Sequence, residues 1–555
     1  MKYFISILSV FLLLKVYSQD LEKISDAKWL TYSGNISVGQ TYYQANGIEN
    51  RRDPYFWQIN ANLNFNILGI VNLPFSLVLS QQNKQFNQPQ PFNRVGLSPN
   101  YKAYTLHLGY RSLYFSDFTL AGNMFFGIGA EYKPDNIPIQ LHMMYGRFTK
   151  PVSRFAQEGI TVAHPAYKRM GYGVRLGYEK DQNSVFINIL KSRDDPNSVE
   201  PDSLLVKPQE NLVLGIEGAL KLFERIHFQM EYAYSMHTRD ISSSIPFLDT
   251  YSFNNNLGSL FKPNGTSNFS NAFNGSLNFS GDFFQLSLNY RRVDPEYTTH
   301  GSSFINNDLE NVTIGFSIPF WKRKIHFNSQ LGLQRNNLDE QLTTGTRRMA
   351  VSSGLTANIS KRLNISLSHN NYSTNTIQSV LRPDLLTDTL EYFQVNGTSS
   401  ANINFLPGNK MQHTVFAMLT NQITRDSDEN ETDFLTANAG ASISLTPNSS
   451  LSLSGIYSTN TIASLVSVNT GPSCTFHQKF NNQKIRSAFS INHLRNYRNG
   501  RFLKHISTIR GNLSYAITDQ QDATLIAFYT YQHTDTENRG SFSEMRISLH
   551  WRWRF

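Results

Sequence analysis

The chain has 555 residues, of which 40% are hydrophobic, and it carries a formal net charge of +9. Its basic residues are scattered singly, with no run longer than Lys322-Arg323-Lys324, so no nucleic-acid partner is expected. The single cysteine, Cys474, argues against a disulfide framework and against a cysteine-based metal site. The length would allow several soluble domains, but no composition shift, proline-rich linker or charged tail marks a boundary.

The first residues have the pattern of a signal peptide, predicted over 1–18. Lys2 precedes a short apolar run, and Val16 and Ser18 fit the minus-three and minus-one positions of a signal-peptidase site. The apolar run is too short to cross a bilayer of about 30 Å as a helix. A stop-transfer anchor is the alternative. The prediction is an exported protein with a short periplasmic segment over 19–28.

From residue 29 onward the sequence alternates between strand-like stretches and turns. Period-two alternation of apolar and polar residues is clearest in 325–333, 363–367, 435–445, 451–457 and 513–517. Short connections with turn-forming residues alternate with long polar ones, near 149–169, 193–209, 240–266, 291–307, 336–345, 375–388 and 460–470. This sorting is typical of a membrane barrel with tight turns at one end and long loops at the other.

These patterns predict an all-β protein: a single large transmembrane antiparallel β-barrel over 29–555, without an N-terminal plug domain. The sequence contains roughly 25 candidate strands, and a closed bacterial barrel normally has an even number. About 24 strands are predicted, with 26 as the alternative, because the stretch 86–122 does not fit the alternation. Wall side chains cannot fill so wide a barrel, so its lumen should be either water-filled or plugged.

The closing stretch, 545–555, alternates strictly between apolar and polar residues. Trp551, Trp553 and Phe555 end its apolar side, while three arginines lie on its polar side. Lipid outside, water inside and aromatic residues at the interface require this pattern. The stretch resembles the C-terminal strand that the bacterial barrel-assembly machinery recognises. That machinery is therefore an expected partner during biogenesis, beside outer-membrane lipid and lipopolysaccharide.

Several motifs carry a family resemblance. They are FNRVGLSP (92–99), LHLGYR (106–111), FSDFTLAG (115–122), YGR (145–147), RVDPEY (292–297) and NNDLE (306–310). With them the chain resembles a set of large, mostly uncharacterised outer-membrane barrels of Bacteroidota-type bacteria. The resemblance covers most of the mature chain and implies a place in the cell outer membrane, but no activity.

The segment 92–122 is the leading candidate for a functional element. It contains Arg94, Arg111 and Asp117 among aromatic residues and glycines. The hypothesis is that part of it folds inward and that these three residues form a charged constriction in the lumen. The alternative is two wall strands joined by an ordinary loop.

Four further charged residues are candidates for lining the lumen: Arg147, Arg292, Asp294 and Glu296. A solvated rim whose charges pair with one another is the alternative for the last three. An acid–base pair with His300 is not expected, because nothing in an extended loop fixes its geometry. The sequence has no nucleophile elbow and no His-Glu-x-x-His spacing. No enzyme activity, metal or cofactor is therefore expected.

The expected function is that of a passive channel for small hydrophilic solutes. The alternative is a non-enzymatic envelope scaffold for a secretion, assembly or surface-protein complex. Loops 240–266 and 291–307 would then contact the envelope protein partner.

Overall fold

The computed structural model describes residues 28–81, 89–153, 155–157, 160–163, 165–199, 206–248, 254, 257–378, 392–408, 413–480, 482–535 and 540–555. The predicted signal peptide and nearly all of the segment 19–28 lie outside these residues. The expectation that no plug domain precedes the first strand therefore stays a prediction.

The described residues form 29 strands. The first half of the chain holds β1 (Leu30–Asn46), β2 (Tyr55–Ile67), β3 (Val71–Ser80), β4 (Arg94–Leu97), β5 (Asn100–Tyr101), β6 (Tyr104–Tyr114), β7 (Ala121–Tyr132), β8 (Ile139–Thr149), β9 (Phe155–Gln157), β10 (Ile160–Ala163), β11 (Lys168–Lys180), β12 (Asn183–Asp195), β13 (Glu210–Leu222), β14 (Ile226–Thr238) and β15 (Ser267–Ser280). The second half holds β16 (Gln285–Val293), β17 (Leu309–Phe320), β18 (Ile325–Arg335), β19 (Thr344–Ser360), β20 (Leu363–Gln378), β21 (Phe393–Phe405), β22 (Thr414–Asp426), β23 (Glu431–Thr446), β24 (Ser449–Ile462), β25 (Leu465–Phe480), β26 (Ile485–Arg498), β27 (Arg501–Ala516), β28 (Gln521–Thr534) and β29 (Phe542–Arg554).

The strands close into one antiparallel barrel. Each wall strand pairs with its neighbours in sequence, and β1 pairs with β29 from Asn35↔Arg554 to Asn46↔Ser543. The sheet has 27 strands, but β4 and β5 both lie between β3 and β6 and are two halves of one wall strand. Counting them once leaves 26 wall strands. The short β9 and β10 form a separate hairpin.

The predicted 24 strands are therefore wrong, and the alternative of 26 is right. The predicted count is two strands short, and one of the two is the interrupted strand, β4 with β5, in the stretch 86–122 that does not fit the alternation. Its two halves are separated by Ser98 and Pro99. Proline has no N–H to donate to a sheet, so it splits the strand and breaks the period-two pattern.

The two faces of the wall differ in polarity as predicted. On the closing strand, Trp551 and Trp553 lie opposite Val38 and Ile36 of β1 on the outer face. The intervening polar residues face the lumen, where Arg552 and Arg554 contact the Asp522 carboxylate at 3.1 and 2.9 Å. Among the described residues, no helix is long and apolar enough to span a bilayer.

The connections are sorted between two rims. The short-turn rim carries tight turns such as 181–182 and 361–362, whereas the long-loop rim carries 196–209, 239–266 and 294–308. The predicted long loop near 460–470 is wrong, because β24 and β25 meet in a two-residue turn there. Asn460, Ser467 and Asn469 are instead strand residues that face the lumen, so polarity alone could not distinguish this stretch from a loop.

Candidate functional site

Two connections on the long-loop rim fold into the lumen. We call 115–120, between β6 and β7, and 294–308, between β16 and β17, the lumen segments. They are bound to each other: the Tyr297 hydroxyl donates to the Phe118 carbonyl at 2.7 Å, and the Thr299 hydroxyl donates to the Thr119 carbonyl at 2.7 Å. The Ala121 N–H, just after the first segment, donates to the Gly301 carbonyl at 2.9 Å. Hydrogen bonds thus join two segments that are far apart in sequence into one structural unit.

The wall beneath the lumen segments is made of small residues. A Cβ added to Gly173 of β11 would lie 2.8 Å from the Phe115 ring, and one added to Gly215 of β13 would lie 2.8 Å from the Thr119 methyl group. These glycines face the lumen and leave the space that the segment side chains occupy. The contact between the segments is equally close, because a Cβ on Gly301 would lie 2.1 Å from the Thr119 carbonyl oxygen.

An apolar cluster holds the segments against the wall. Its fully buried members are Phe115, Phe118 and Leu120 from the first segment and Tyr297 from the second, and they pack against lumen-facing residues of β6–β8 and β12–β16. The wall residues of the cluster are Leu113, Phe125, Met144, Phe148, Leu190, Val213, Ala233, Ala272 and Val293. Burying one large apolar side chain contributes about 1.5–3 kcal/mol, so the cluster fixes the segments in place.

Polar contacts complete the attachment of the second segment. Asn211 of β13 donates to the Thr298 carbonyl at 3.1 Å and accepts from the His300 N–H at 3.2 Å. The His300 ring lies 2.7 Å from the Ser192 hydroxyl. Burial lowers the pKa of His300 well below its usual value and raises the pKa of the Tyr297 phenol well above its own. Both groups are therefore neutral at pH 7 and act as ordinary hydrogen-bonding groups.

A charged cavity of about 280 Å³ lies beside the first lumen segment. Arg175 of β11 contacts the Glu217 carboxylate of β13 at 2.6 Å. Glu231 of β14 accepts the Phe118 N–H at 2.8 Å, and Asp117 accepts the Tyr114 hydroxyl at 2.6 Å. The cavity is thus lined by three carboxylates and one guanidinium. Such a surface attracts cations more than anions.

The structure does not bring Arg94, Arg111 and Asp117 together. Of the segment 92–122, most of 94–114 forms wall strands and only 115–120 folds inward. Arg111 donates to the Ser76 hydroxyl and to the Pro74 carbonyl, both on β3, and Arg94 donates to the Pro91 carbonyl at 2.9 Å. Arg94 and Arg111 line one cavity and Asp117 lines another. A charged constriction made by these three residues is therefore not present.

Arg147 and Arg292 do not line the lumen. Their neighbours Phe148 and Arg291 face inward, and alternation along a strand turns Arg147 and Arg292 outward. The Arg147 guanidinium lies 5.2 Å from the centre of the Phe126 ring. Arg292 contacts the Asp294 carboxylate at 3.2 Å on the outer face. The prediction failed because isolated arginines on an apolar face look, in sequence, like members of the polar face.

Asp294 and Glu296 are engaged at the long-loop rim. Asp294 accepts the backbone N–H and the side-chain amide of Asn271 at 2.9 and 3.0 Å. Glu296, half exposed, pairs with Arg239. Glu296 has φ of 59° after Pro295, which fits a turn with proline at its second position. These residues shape the turn that leads the chain into the lumen. The solvated-rim alternative describes them better.

Sequence reasoning missed the residues that matter most for the shape of the lumen. Arg175, Glu217 and Glu231 looked like ordinary polar strand residues, and Tyr297 and His300 looked like parts of a solvated loop. One signal was present: the glycines at 171, 173 and 177 recur on the same face of a strand. Repeated glycines on one face of a strand indicate the close approach of another segment.

The lumen face opposite the segments has a different chemistry. A cavity of about 470 Å³ lies on β17–β22, lined mostly by amide and hydroxyl side chains. They are Asn311, Thr313, Gln330, Gln334, Ser352, Asn370, Asn396, Thr398 and Gln422. Among the described lumen-facing residues of β18–β21, Arg348 is the only arginine, lysine, aspartate or glutamate. Within the described part of the chain, no cluster of histidine, cysteine, aspartate or glutamate is arranged to hold a metal ion.

No protein-family model and no curated protein matches the chain. Among solved structures it is similar to the translocation pore of the P pilus usher (PapC), with 10% identity, a TM-score of 0.39, and coverage of 94% of this chain and 99% of that one. It is also similar to the FrpB iron transporter from Neisseria meningitidis, with 9% identity, a TM-score of 0.38, and coverage of 98% of this chain and 83% of that one. OccK3 from Pseudomonas aeruginosa is similar with 11% identity, a TM-score of 0.32, and coverage of 69% of this chain and 97% of that one. Similarities of this size carry no function over to the chain.

Proposed function

We propose that this protein is an outer-membrane channel through which small hydrophilic solutes pass passively. One observation carries the proposal: the lumen face of β17–β22 is covered with uncharged amide and hydroxyl groups. Neither apolar cluster of the described residues includes a residue beyond Ile305. A polar surface on which nothing packs is stable only if water fills the space before it. The rest of the wall then serves to enclose that water.

The size of the barrel supports an aqueous passage. Barrels of 16–18 strands already leave a water-filled channel, and this wall has 26 strands. The lumen segments pack on the arc from β6 to β16. They narrow the lumen from one side, and no other described segment covers the opposite side. Passive flow needs neither a cofactor nor a chemical step, and we propose none.

The outer face supports the membrane location. Exposed apolar residues recur on alternate positions of the wall, for example Leu176 and Tyr178 on β11 and Leu331 and Leu333 on β18. Water would disfavour such a continuous apolar surface, whereas lipid hydrocarbon accommodates it. We assign the short-turn rim, where β1 begins and β29 ends, to the periplasmic side.

The test is single-channel recording of the purified full-length barrel in a planar lipid bilayer. We expect steady open steps whose conductance rises with salt concentration. Glu217→Gln should lower the preference for cations, because it removes a carboxylate from the charged cavity. Glu310→Gln is the matched control, since Glu310 pairs with Arg335 on the outer face. A heat-modifiable, folded barrel that never opens would rule out the channel.

A second function, the envelope scaffold, has one observation in its favour. The described part of loop 239–266 folds outward, and Leu257 and Phe261 pack on Leu212 and Met236 of the outer wall. The loop also covers an ion pair between Lys191 and Glu210, with the Lys191 ammonium 4.9 Å from the Phe261 ring. A surface beside the lumen is therefore available to an envelope protein. In contrast, 294–308 lies inside the lumen and offers little outer surface.

The scaffold is tested by crosslinking in intact cells. A photoreactive residue at the exposed position Leu248 should capture the same envelope protein repeatedly if the scaffold is the function. The same residue at Leu176, in the lipid-facing wall, is the control. Equal crosslinking at both positions would contradict a specific partner.

A further inference from the structure

The wall of β17–β22 contains a cation without a counter-ion. Arg348 of β19 faces the lumen near the long-loop rim, opposite Gln334 of β18. No carboxylate among the described residues forms an ion pair with it, and its buried Nε has no hydrogen-bond partner. On the opposite side of the lumen, in contrast, Arg175 is paired with Glu217. An unpaired, partly buried guanidinium has free donors for an anionic group.

An aromatic ring lies on the same face. Tyr372 of β20 pairs with Ala350 and with Asn396 in the register of the sheet, and 42% of it is exposed. It makes no ring contact and no side-chain hydrogen bond with another described residue. Because its neighbour Ala350 is small, one flank of the ring is open to the lumen. A sugar ring can place its C–H face on such a surface, since both are apolar there.

The surrounding amides have unused hydrogen-bonding groups. Asn370 accepts from the Ser352 hydroxyl at 2.6 Å, which leaves its amide N–H groups free to donate. The Gln330 and Gln334 side chains have no partner among the described residues. Neighbouring strands are about 4.8 Å apart, so the amides form a regular array of donors and acceptors. Hydroxyl groups, which both donate and accept, match such an array.

We propose that this face, which we call the amide wall, binds an oligosaccharide that carries a carboxylate. The amide wall consists of the cavity residues on β17–β22, with Arg348 for the carboxylate and Tyr372 for a sugar ring. Its cavity of about 470 Å³ falls within the roughly 300–1,000 Å³ of small-molecule sites. The inference deepens the proposed channel function, on which it rests, by naming the class of its solute.

An acidic polypeptide fits the amide wall less well. A peptide gains affinity by pairing with an open sheet edge or by placing side chains in apolar pockets. The closed sheet has no free edge here, and Tyr372 is the only aromatic residue among those that line the cavity. The regular array of amides and the single cation, Arg348, instead favour a ligand with many hydroxyl groups and a negative charge.

The experiment measures block of the single-channel current by short oligosaccharides. Trigalacturonate, which carries carboxylates, should interrupt the current at lower concentration than neutral maltotriose. Arg348→Gln should weaken block by trigalacturonate about tenfold or more, the loss expected for hydrogen bonds to a charged group. Tyr372→Ala should weaken block by both sugars. Arg347→Gln is the matched control, because Arg347 is the next residue and faces outward, and it should behave as wild type.

Three outcomes would overturn the inference. One is an open channel that neither sugar blocks, which leaves the channel function standing. Another is block by trigalacturonate that Arg348→Gln and Arg347→Gln change equally. A third is block by triglutamate as strong as that by trigalacturonate, which would assign the site to charge alone. If no variant conducts, the channel function fails, and calorimetric titration of the detergent-solubilised barrel with trigalacturonate decides the inference by itself.

Discussion

The two sides of the lumen are built on opposite principles. On the packed arc, β6–β16, wall glycines make room for two segments whose aromatic side chains are fully buried. On the open arc, β17–β29, wall amides and hydroxyls line the cavity of β17–β22, and neither apolar cluster of the described residues reaches the arc. The same strand geometry therefore supports either a dry interface or a wet surface. The side chains at the lumen-facing positions decide between them.

The two arcs also differ in whether their charged side chains have partners within the protein. On the packed arc, Arg175 pairs with Glu217, and Glu231 accepts the Phe118 N–H. On the open arc, Arg348 has no such partner among the described residues. Paired charges hold a structure together, whereas an unpaired one is available to a solute.

Removing Tyr297 should have the largest effect. Tyr297→Ala deletes a fully buried ring and its hydrogen bond to the Phe118 carbonyl, and such substitutions cost about 3–5 kcal/mol. The lumen segments should detach, and hydrogen exchange of 294–308 and channel conductance should both rise. Tyr372→Ala, on the open arc, should leave exchange at 294–308 unchanged. Equal effects of the two substitutions would refute the distinction between the arcs.

Adding one methyl group to the wall should come next. A Cβ on Gly173 would approach the Phe115 ring to 2.8 Å, whereas a Cβ on Gly332 of the open arc would lie 3.6 Å from its nearest neighbour, the Thr313 hydroxyl. Gly173→Ala should destabilise the packed arc by about 1–3 kcal/mol, and Gly332→Ala should change stability by less than about 0.5 kcal/mol. Thermal unfolding of the two variants measures the difference. A tolerated Gly173→Ala would show that the segments do not depend on this close fit.

Neutralising one arginine on each arc should separate paired from unpaired charge. Arg175→Gln leaves the Glu217 carboxylate without its partner and should cost about 1–3 kcal/mol. Arg348→Gln breaks no ion pair among the described residues, so it should leave unfolding unchanged. Denaturant unfolding of both variants in the same detergent provides the comparison. A loss of stability in Arg348→Gln alone would contradict it.

Lowering the pH should destabilise the lumen segment 294–308 gradually, and by less than the substitutions above. Burial lowers the pKa of His300 in the folded state, so its contribution to stability is present above the unfolded value near 6.5 and is lost as pH falls below it. The slope for one proton is at most about 1.4 kcal/mol per pH unit. Limited proteolysis of 294–308 between pH 7 and 5 should therefore accelerate, and His300→Gln should flatten that dependence. An unchanged pH response in His300→Gln would assign the effect to another group.

The wall was predictable from the sequence because its rule is local. Alternation along a strand and the sizes of successive connections are visible within a few residues, as in the closing stretch with Trp551 and Trp553. Those features gave the fold class and the alternative of 26 strands. The preferred count was two strands short, and one of the two is the strand that Pro99 interrupts, where the local pattern is lost.

The lumen was not predictable in the same way because its contacts are distant in sequence. Phe118 packs against Tyr297, which lies 179 residues further along the chain. The segments that carry them also need the space left by glycines of other strands. Side-chain direction was a second obstacle. Arg291 and Arg292 are adjacent and equally charged, yet one faces the Phe118 ring and the other faces outward. Only the register of neighbouring strands distinguishes them.

The most direct test of a channel with one packed and one open arc is thiol modification during single-channel recording. In a Cys474→Ser background, Asn370→Cys places a thiol on the open arc, and Ser235→Cys places one behind the lumen segments. A charged methanethiosulfonate reagent should reduce the current through Asn370→Cys within seconds and leave Ser235→Cys unaffected. Equal modification of both, or no open steps from folded protein, would contradict the account.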